Sequence, residues 1–125
     1  MGADMPLHVA LVAADRAVWT GEADMVIAKT IEGDIGVLPG HEPLLGVLVS
    51  GPVEIRSAGG QALVAAIDGG FMSVAGDAVS ILAEQAELAD EIDRAGAEEE
   101  LRRAEAEGDE AGARRARARV GAATR

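Results

Sequence analysis

The chain has 125 residues, enough for one ordinary domain or for a small domain with an appendage. Apolar residues make up 49% of the chain, so a packed core is predicted, while the formal net charge of −11 argues against general binding to nucleic acid or anionic membranes, which relies on Lys and Arg. The chain has no cysteine, which excludes disulfides, thiolate zinc sites and thiol nucleophiles.

The first part of the chain predicts β structure. Apolar Val53 and Ile55 alternate with charged residues, which is the period of a half-buried strand. Runs this short and closely spaced leave no room for crossover helices, so an antiparallel sandwich or barrel is predicted. The five clearest runs, separated by glycine-rich turn signals, are Leu7–Ala14, Ala23–Ile31, Pro52–Ser57, Gln61–Ile67 and Ala78–Ala83.

The densest local signal is the segment Gly33–Leu45. Pro39 fixes φ for the first central position of a turn, and Gly40 tolerates the positive φ that a type II turn needs next. Two interpretations stand. The segment is either a well-made turn whose polar residues face water, or a rigid exposed loop that presents three side chains to a partner, namely Asp34, His41 and Glu42.

The second part of the chain predicts α structure. From Ala86 to Glu107 almost every residue is Ala, Glu, Leu, Arg or Asp, all compatible with a helix. Gly108 is suited to end this helix and Asp109 to cap a second one, which is predicted to run from Asp109 to Val120. The last twelve residues hold five arginines and no acidic residue. A helical hairpin is therefore predicted, and two architectures meet near residue 86.

Several segments occur in the order that is typical of one known family. They are Leu7–Arg16 followed by Trp19-Thr20-Gly21, Gly33–Leu45, Asp68–Val74, and Ser80–Glu84 followed by an Ala/Glu/Arg-rich tail. Together they resemble the epsilon subunit of the bacterial F-type ATP synthase, of an actinobacterial kind. The resemblance covers essentially residues 6–120.

The resemblance implies an α+β fold, with an N-terminal antiparallel β-sandwich of about ten strands (residues 1–86) and a C-terminal two-helix hairpin (residues 87–125). It implies a non-catalytic rotor subunit that couples proton flow through the c ring to ATP synthesis, peripheral at the cytoplasmic face of the plasma membrane. The implied partners are the gamma subunit, the c ring and the catalytic alpha and beta subunits. The sandwich would bind gamma and the c ring, and the hairpin would restrain ATP hydrolysis.

The resemblance also implies which residues make these contacts. Asp34, His41 and Glu42 would lie at the interface with the c ring and gamma. The basic residues of the second helix would contact the catalytic head, or else complement the dipole of their own helix; they are Arg114, Arg115, Arg117 and Arg119.

Some members of the family bind ATP through the motif Ile-Asp-x-x-Arg-Ala on the first helix. Here Ile92-Asp93 matches, but Gly96 stands at the arginine position, which removes a fork-shaped donor for phosphate. No cofactor is therefore expected. ATP as a regulatory ligand is the alternative, and with it a stand-alone nucleotide-sensing module; its contacts would come from Glu87, Ile92, Asp93 and Arg103.

No catalytic residue and no metal site is predicted. His41 with Asp34 and Glu42 has the residue types of a metal site, but no ligand spacing favours it, and no serine lies in a nucleophile elbow. Trp19 and Phe71, the only aromatic residues, are predicted to lie in the core. No apolar run approaches the roughly 18 residues of a membrane span and no signal peptide is visible, so a soluble, cytoplasmic protein is predicted.

Overall fold

The computed structural model describes residues 5–57 and 59–125; the start of the predicted sandwich, residues 1–4, and Ala58 lie outside the described residues. Within them the strand count is eight, rather than the ten of the resemblance, followed by two helices. The elements are β1 (Leu7–Ala13), β2 (Arg16–Ala23), β3 (Met25–Thr30), β4 (Gly33–Val37), β5 (Leu44–Leu48), β6 (Gly51–Arg56), β7 (Ala62–Ala75), β8 (Ala78–Leu88), α1 (Arg94–Glu107) and α2 (Glu110–Ala123).

The strands form a β-sandwich in the order β2-β1-β8-β7-β5-β3-β4, and β6 pairs with β3 and β7. Neighbouring strands pair antiparallel, as predicted, with one exception: β1 and β8 run parallel, with Val9 opposite Val79 and Leu11 opposite Ile81. A parallel pair needs a long connection between its strands. Here strands β2 to β7 supply that connection.

Strand β7 changes partners halfway along its length. Residues 62–67 pair with β6 and residues 70–74 pair with β5. Between these halves Gly69 has φ 68° and Gly70 has φ 132°, backbone conformations that residues with a Cβ rarely adopt. The two glycines therefore allow a single strand to pass from one part of the sandwich to the other.

Aliphatic side chains fill the core. The largest fully buried ones are Leu7, Leu11, Ile55, Met72 and Ile81. Trp19 is half-buried and packs against this core, but the prediction that Phe71 is a core residue was wrong, since Phe71 is 52% exposed. Successive side chains of a strand point to opposite faces, and Met72 takes the inward position on β7. Phe71 therefore points outward.

The first helix begins at Arg94 and not at Ala86, because β8 continues to Leu88 and pairs there with β7. A short 3-10 turn, Ala89–Glu91, then precedes the helix. The predicted caps are confirmed: Gly108 has φ 71° at the end of α1, and the Asp109 side chain accepts a hydrogen bond from the Gly112 N–H at 2.9 Å.

The hairpin is attached to the sandwich through its second helix. Helix α2 lies against β6 and β7, and α1 packs mainly on α2. Four of the five side chains buried in this second, smaller cluster are alanines; its members are Ala66, Ile92, Ala97, Ala118 and Ala122. Because stabilisation by burial scales with the apolar area removed from water, this seam holds the hairpin weakly.

Candidate interaction surfaces

An exposed apolar stripe crosses the outer face of the sandwich. Its members Val47, Phe71 and Leu82 are 42%, 52% and 53% exposed. They belong to the adjacent strands β5, β7 and β8, where Val47 lies opposite Phe71 and Phe71 opposite Leu82. Side chains directly opposite each other lie about 5 Å apart, so the three form one continuous row.

Two further exposed side chains extend the stripe at its β5 end. Leu45 lies two residues before Val47 on the same face of β5 and is 73% exposed. Ile31, 66% exposed, lies beside Val47, since its backbone N–H donates to the Val47 carbonyl at 3.0 Å. Contiguous exposed apolar side chains of this kind mark a surface for another macromolecule.

The stripe was not predicted, although the sequence carries a signal for it. Phe71 and Leu82 are large apolar residues at outward positions of β7 and β8, where their outward neighbours Ser73, Ser80 and Glu84 are polar. A large apolar side chain among polar ones on the outward face of a strand is typical of a contact surface rather than of a solvated face. Within the described residues no second layer covers Phe71.

The turn predicted at Pro39-Gly40 is present between β4 and β5. Gly40 has φ 86°, and the His41 N–H donates to the Leu38 carbonyl at 3.1 Å. The His41 Nδ1–H donates to the Glu42 carbonyl at 2.7 Å, which leaves Nε2 as the ring's free nitrogen. The turn therefore holds His41 and Glu42 side by side, with the Glu42 side chain exposed.

Asp34 does not belong to this turn. It lies on β4 opposite Lys29 of β3, and their charged groups are 3.5 Å apart. Asp34 and Val37 are separated along the strand by about 10 Å, at the usual rise of ~3.4 Å per residue. The predicted loop therefore presents His41 and Glu42 together, and Asp34 lies toward the opposite end of its strand.

Of the four arginines of α2 predicted to contact the catalytic head, Arg119 is half-buried and is held by contacts within the chain. Its Nε donates to Glu87 Oε1 of β8 at 2.8 Å, and its Nη1 contacts the Glu100 carboxylate of α1. These contacts join both helices to the sandwich. The hydrogen bond to Glu87 raises the pKa of the Arg119 guanidinium above its ordinary value, so this side chain stays charged.

The other arginines of α2 lie nearer the solvent. Arg114 and Arg117 are exposed, and Arg117 lies 3.7 Å from Glu105 of α1. Arg115 is half-buried and lines a cleft between β8 and the hairpin. At the end of the chain Arg125 donates to Glu54 of β6 at 3.0 Å, a second ionic contact between hairpin and sandwich.

Each of the four residues predicted to contact ATP has a different structural environment. Glu87 is bound to Arg119, and Ile92 is buried in the small cluster under the hairpin. Asp93 occupies the N-cap position of α1, and a Cβ at Gly96 would lie 2.7 Å from its Oδ2. Arg103 lines the cleft beside the hairpin, whose volume is about 510 Å³. The absence of a cofactor stays a prediction, with ATP as its alternative.

Replacing Arg119 with Gln is expected to loosen the hairpin. The loss of a half-buried charged hydrogen bond to Glu87 should cost about 1 kcal/mol of docking, after allowance for solvent screening. Hydrogen exchange at the α2 backbone amides should accelerate severalfold. The matched control is Arg114→Gln on the exposed side of the same helix, and equal exchange in the two variants would contradict the role of Arg119.

A sandwich with an exposed apolar stripe, followed by a weakly held helical arm, defines a subunit that acts by contact with other chains. Within residues 5–57 and 59–125, no three His, Cys, Asp or Glu side chains are grouped to hold a metal ion. None of the described helices has the length and apolar character required to cross a membrane.

The sequence matches the family described as ATP synthase, Delta/Epsilon chain, beta-sandwich domain over residues 6–89. It is 63% identical over 114 residues to the ATP synthase epsilon chain of Streptomyces avermitilis, covering 91% of this chain and 92% of that one. The chain belongs to this epsilon-chain family, which confirms the resemblance that the sequence motifs indicated. It is accordingly a non-catalytic stalk subunit of the ATP synthase complex.

Two further relatives differ in how much of this chain they match. A chain in the Euglena gracilis mitochondrial ATP synthase structure that contains OSCP, F1 and the c ring has a TM-score of 0.75 and 27% identity, covering 93% of this chain and 76% of that one. The ATP synthase epsilon chain of Frankia casuarinae is 54% identical over 84 residues, which are 99% of that chain but 67% of this one. The Frankia chain is therefore about as long as the matched sandwich alone.

Proposed function

We propose that this chain is a rotor subunit of the central stalk, which couples proton flow through the c ring to ATP synthesis and restrains ATP hydrolysis through its hairpin. The single observation that carries the proposal is the exposed apolar stripe of Val47, Phe71 and Leu82 on the sandwich. Membership of the epsilon-chain family supports it. In this proposal the complex works at the cytoplasmic face of the plasma membrane.

The stripe is the proposed contact with the gamma subunit. A subunit that transmits torque needs an interface that stays closed, and lasting interfaces have an apolar centre that excludes water. Phe71 is the largest side chain of the stripe and lies between Val47 and Leu82. Large side chains at the centre of an interface carry most of its binding energy, so Phe71 is the proposed anchor.

The turn between β4 and β5 is the proposed contact with the c ring. His41 and Glu42 offer a ring nitrogen and a carboxylate that suit the polar groups of loops between membrane helices. Asp34, on the exposed edge of the sandwich with Lys29, belongs to the same proposed interface only if the partner extends along β4.

The hairpin is the proposed restraint on the catalytic alpha and beta subunits. In the pose described here Arg119 is bound by Glu87 and Glu100, while Arg114 and Arg117 are exposed. The alanine-rich seam under α2 buries little area, which supports an arm that detaches and reaches another chain. Its exposed arginines would then meet acidic groups of the catalytic head, chiefly through steering and exposed ion pairs.

Removing the hairpin tests the restraint. The complex that contains gamma and the catalytic subunits is reconstituted with the full chain or with residues 1–91. The truncation point keeps Leu88, which packs against the sandwich core, and the 3-10 turn after it. Faster ATP hydrolysis with the shorter chain is expected, because the arm that would oppose rotation is gone.

Binding of both chains to gamma is measured alongside as the control. Equal binding to gamma, with faster hydrolysis for the shorter chain, supports a sandwich that binds gamma and a hairpin that restrains hydrolysis. Equal hydrolysis with both chains bound would contradict a restraint by the hairpin, and loss of gamma binding by residues 1–91 would contradict a sandwich that binds by itself.

A further inference from the structure

The two-residue turn between β7 and β8 contains an unusual backbone conformation. Gly76 has φ 57° and Asp77 has φ 65°, as a type I′ hairpin turn requires. Among the described residues Asp77 is the only one other than glycine with a positive φ. Glycine is the residue favoured at this position, since a side chain there carries a steric cost. The turn therefore has an aspartate at a position where its backbone geometry favours glycine.

The Asp77 carboxylate reaches a distant part of the chain. Its Oδ1 accepts a hydrogen bond from the Gly40 N–H at 2.7 Å, across 37 positions of sequence. Its backbone carbonyl accepts from the His8 N–H of β1 at 2.8 Å. Asp77 thus joins the β7–β8 turn, the beginning of β1 and the turn between β4 and β5.

The bond to Gly40 acts at the centre of the β4–β5 turn. Gly40 is the central residue whose positive φ sets the direction of the chain into His41 and Glu42. A hydrogen bond to an ionised acceptor is stronger and shorter than one between neutral groups, and 2.7 Å lies at the short end of that range. Within the described residues the other two hydrogen bonds of the turn, His41 N–H to Leu38 and His41 Nδ1–H to Glu42, are internal to it.

We infer, on the basis of the proposed contact between the β4–β5 turn and the c ring, that Asp77 is a positioning residue that orients His41 and Glu42 for this contact. Asp77 itself lies at the tip of another hairpin and acts through the Gly40 amide. A purely local role in the β7–β8 turn would be filled better by glycine.

The replacement Asp77→Gly separates the two roles. It relieves the backbone cost of the β7–β8 turn and removes the acceptor for Gly40. In the full chain we expect the Tm to change by less than about 4 °C, because the gain and the loss offset each other. Exchange of the Gly40 amide, followed by NMR, should accelerate by about tenfold. Asp77→Asn, which keeps an acceptor oxygen, should restore part of the protection.

The control is Asp15→Gly, which removes an exposed aspartate from the two-residue turn between β1 and β2. It should leave exchange at Gly40 unchanged. If Asp77→Gly also leaves exchange at Gly40 unchanged, the inference is overturned, because the hydrogen bond then does not order the turn.

The functional part is measured as proton pumping per ATP hydrolysed in the reconstituted complex. Asp77→Gly is expected to lower this ratio, as is the double variant His41→Ala with Glu42→Ala. If only the double variant lowers it, the contact with the c ring stands and the role of Asp77 is overturned. If the double variant leaves the ratio unchanged, the proposed contact itself fails, and the positioning role fails with it.

Discussion

Replacing Phe71 with Glu is expected to weaken binding of the sandwich to the gamma subunit by more than a hundredfold. Phe71 lies at the middle of the apolar stripe, between Val47 and Leu82. A carboxylate at this place would be buried without a partner on binding, and the desolvation of an ion costs several kcal/mol. A loss of about 3 kcal/mol weakens the Kd by more than a hundredfold.

The fold should survive this change, because Phe71 is 52% exposed in the chain by itself. The Kd for gamma is measured by titration calorimetry, with circular dichroism to verify the fold. Phe71→Leu should retain most of the affinity because it keeps an apolar side chain. Ala106→Glu, which adds the same charge at an exposed position of α1, should leave binding unchanged. Binding of Phe71→Glu within a fewfold of the wild type would rule out the stripe as the gamma contact.

Replacing Gly70 with Ala is expected to destabilise the sandwich strongly. A Cβ at this position would lie 2.0 Å from the Leu82 carbonyl oxygen and 2.8 Å from the Ala83 Cα, both of which are backbone atoms of β8. The φ of 132° adds a conformation that alanine rarely adopts. The backbone of β7 or β8 would have to move, at a cost of about 3 kcal/mol or more in the free energy of unfolding.

Urea unfolding measures this cost, and the chain offers a matched control in Gly46→Ala. Gly46 also lies in a strand of the sandwich, but a Cβ there would meet only Thr30 Cγ2 at 3.6 Å, an ordinary van der Waals distance. The control should change the free energy of unfolding by less than about 1 kcal/mol. Equal stability of the two variants would show that β7 passes between its two partners without needing Gly70.

Local chemistry made much of the fold predictable. The turn at Pro39-Gly40, the left-handed Gly108 and the Asp109 cap each follow from a few neighbouring residues, and each is present. The start of α1 was not predictable in this way. Residues 86–88 are compatible with a helix, but their pairing with residues 65–67 of β7, about twenty positions earlier, keeps them in β8. Tertiary pairing overrides helix propensity here.

The candidate surfaces were less predictable than the fold. Periodicity places Phe71 and Met72 on opposite faces of β7, but with both apolar it does not tell which face is inside. The partners of Arg119 lie 32 and 19 positions away in sequence, and those of Asp77 are similarly remote. Such contacts depend on the order of the strands and on the docking of α2, which spacing along the chain does not encode.

The alanine seam under α2 has a thermodynamic consequence. Heat-capacity changes follow the apolar area that is exposed, and the release of a few methyl groups exposes little. The balance between docked and released hairpin should therefore change smoothly with temperature, without the strong curvature of a folding transition. The face of β6 and β7 that the hairpin leaves would also expose no large apolar patch. The released form should therefore have little tendency to aggregate before the hairpin binds another chain.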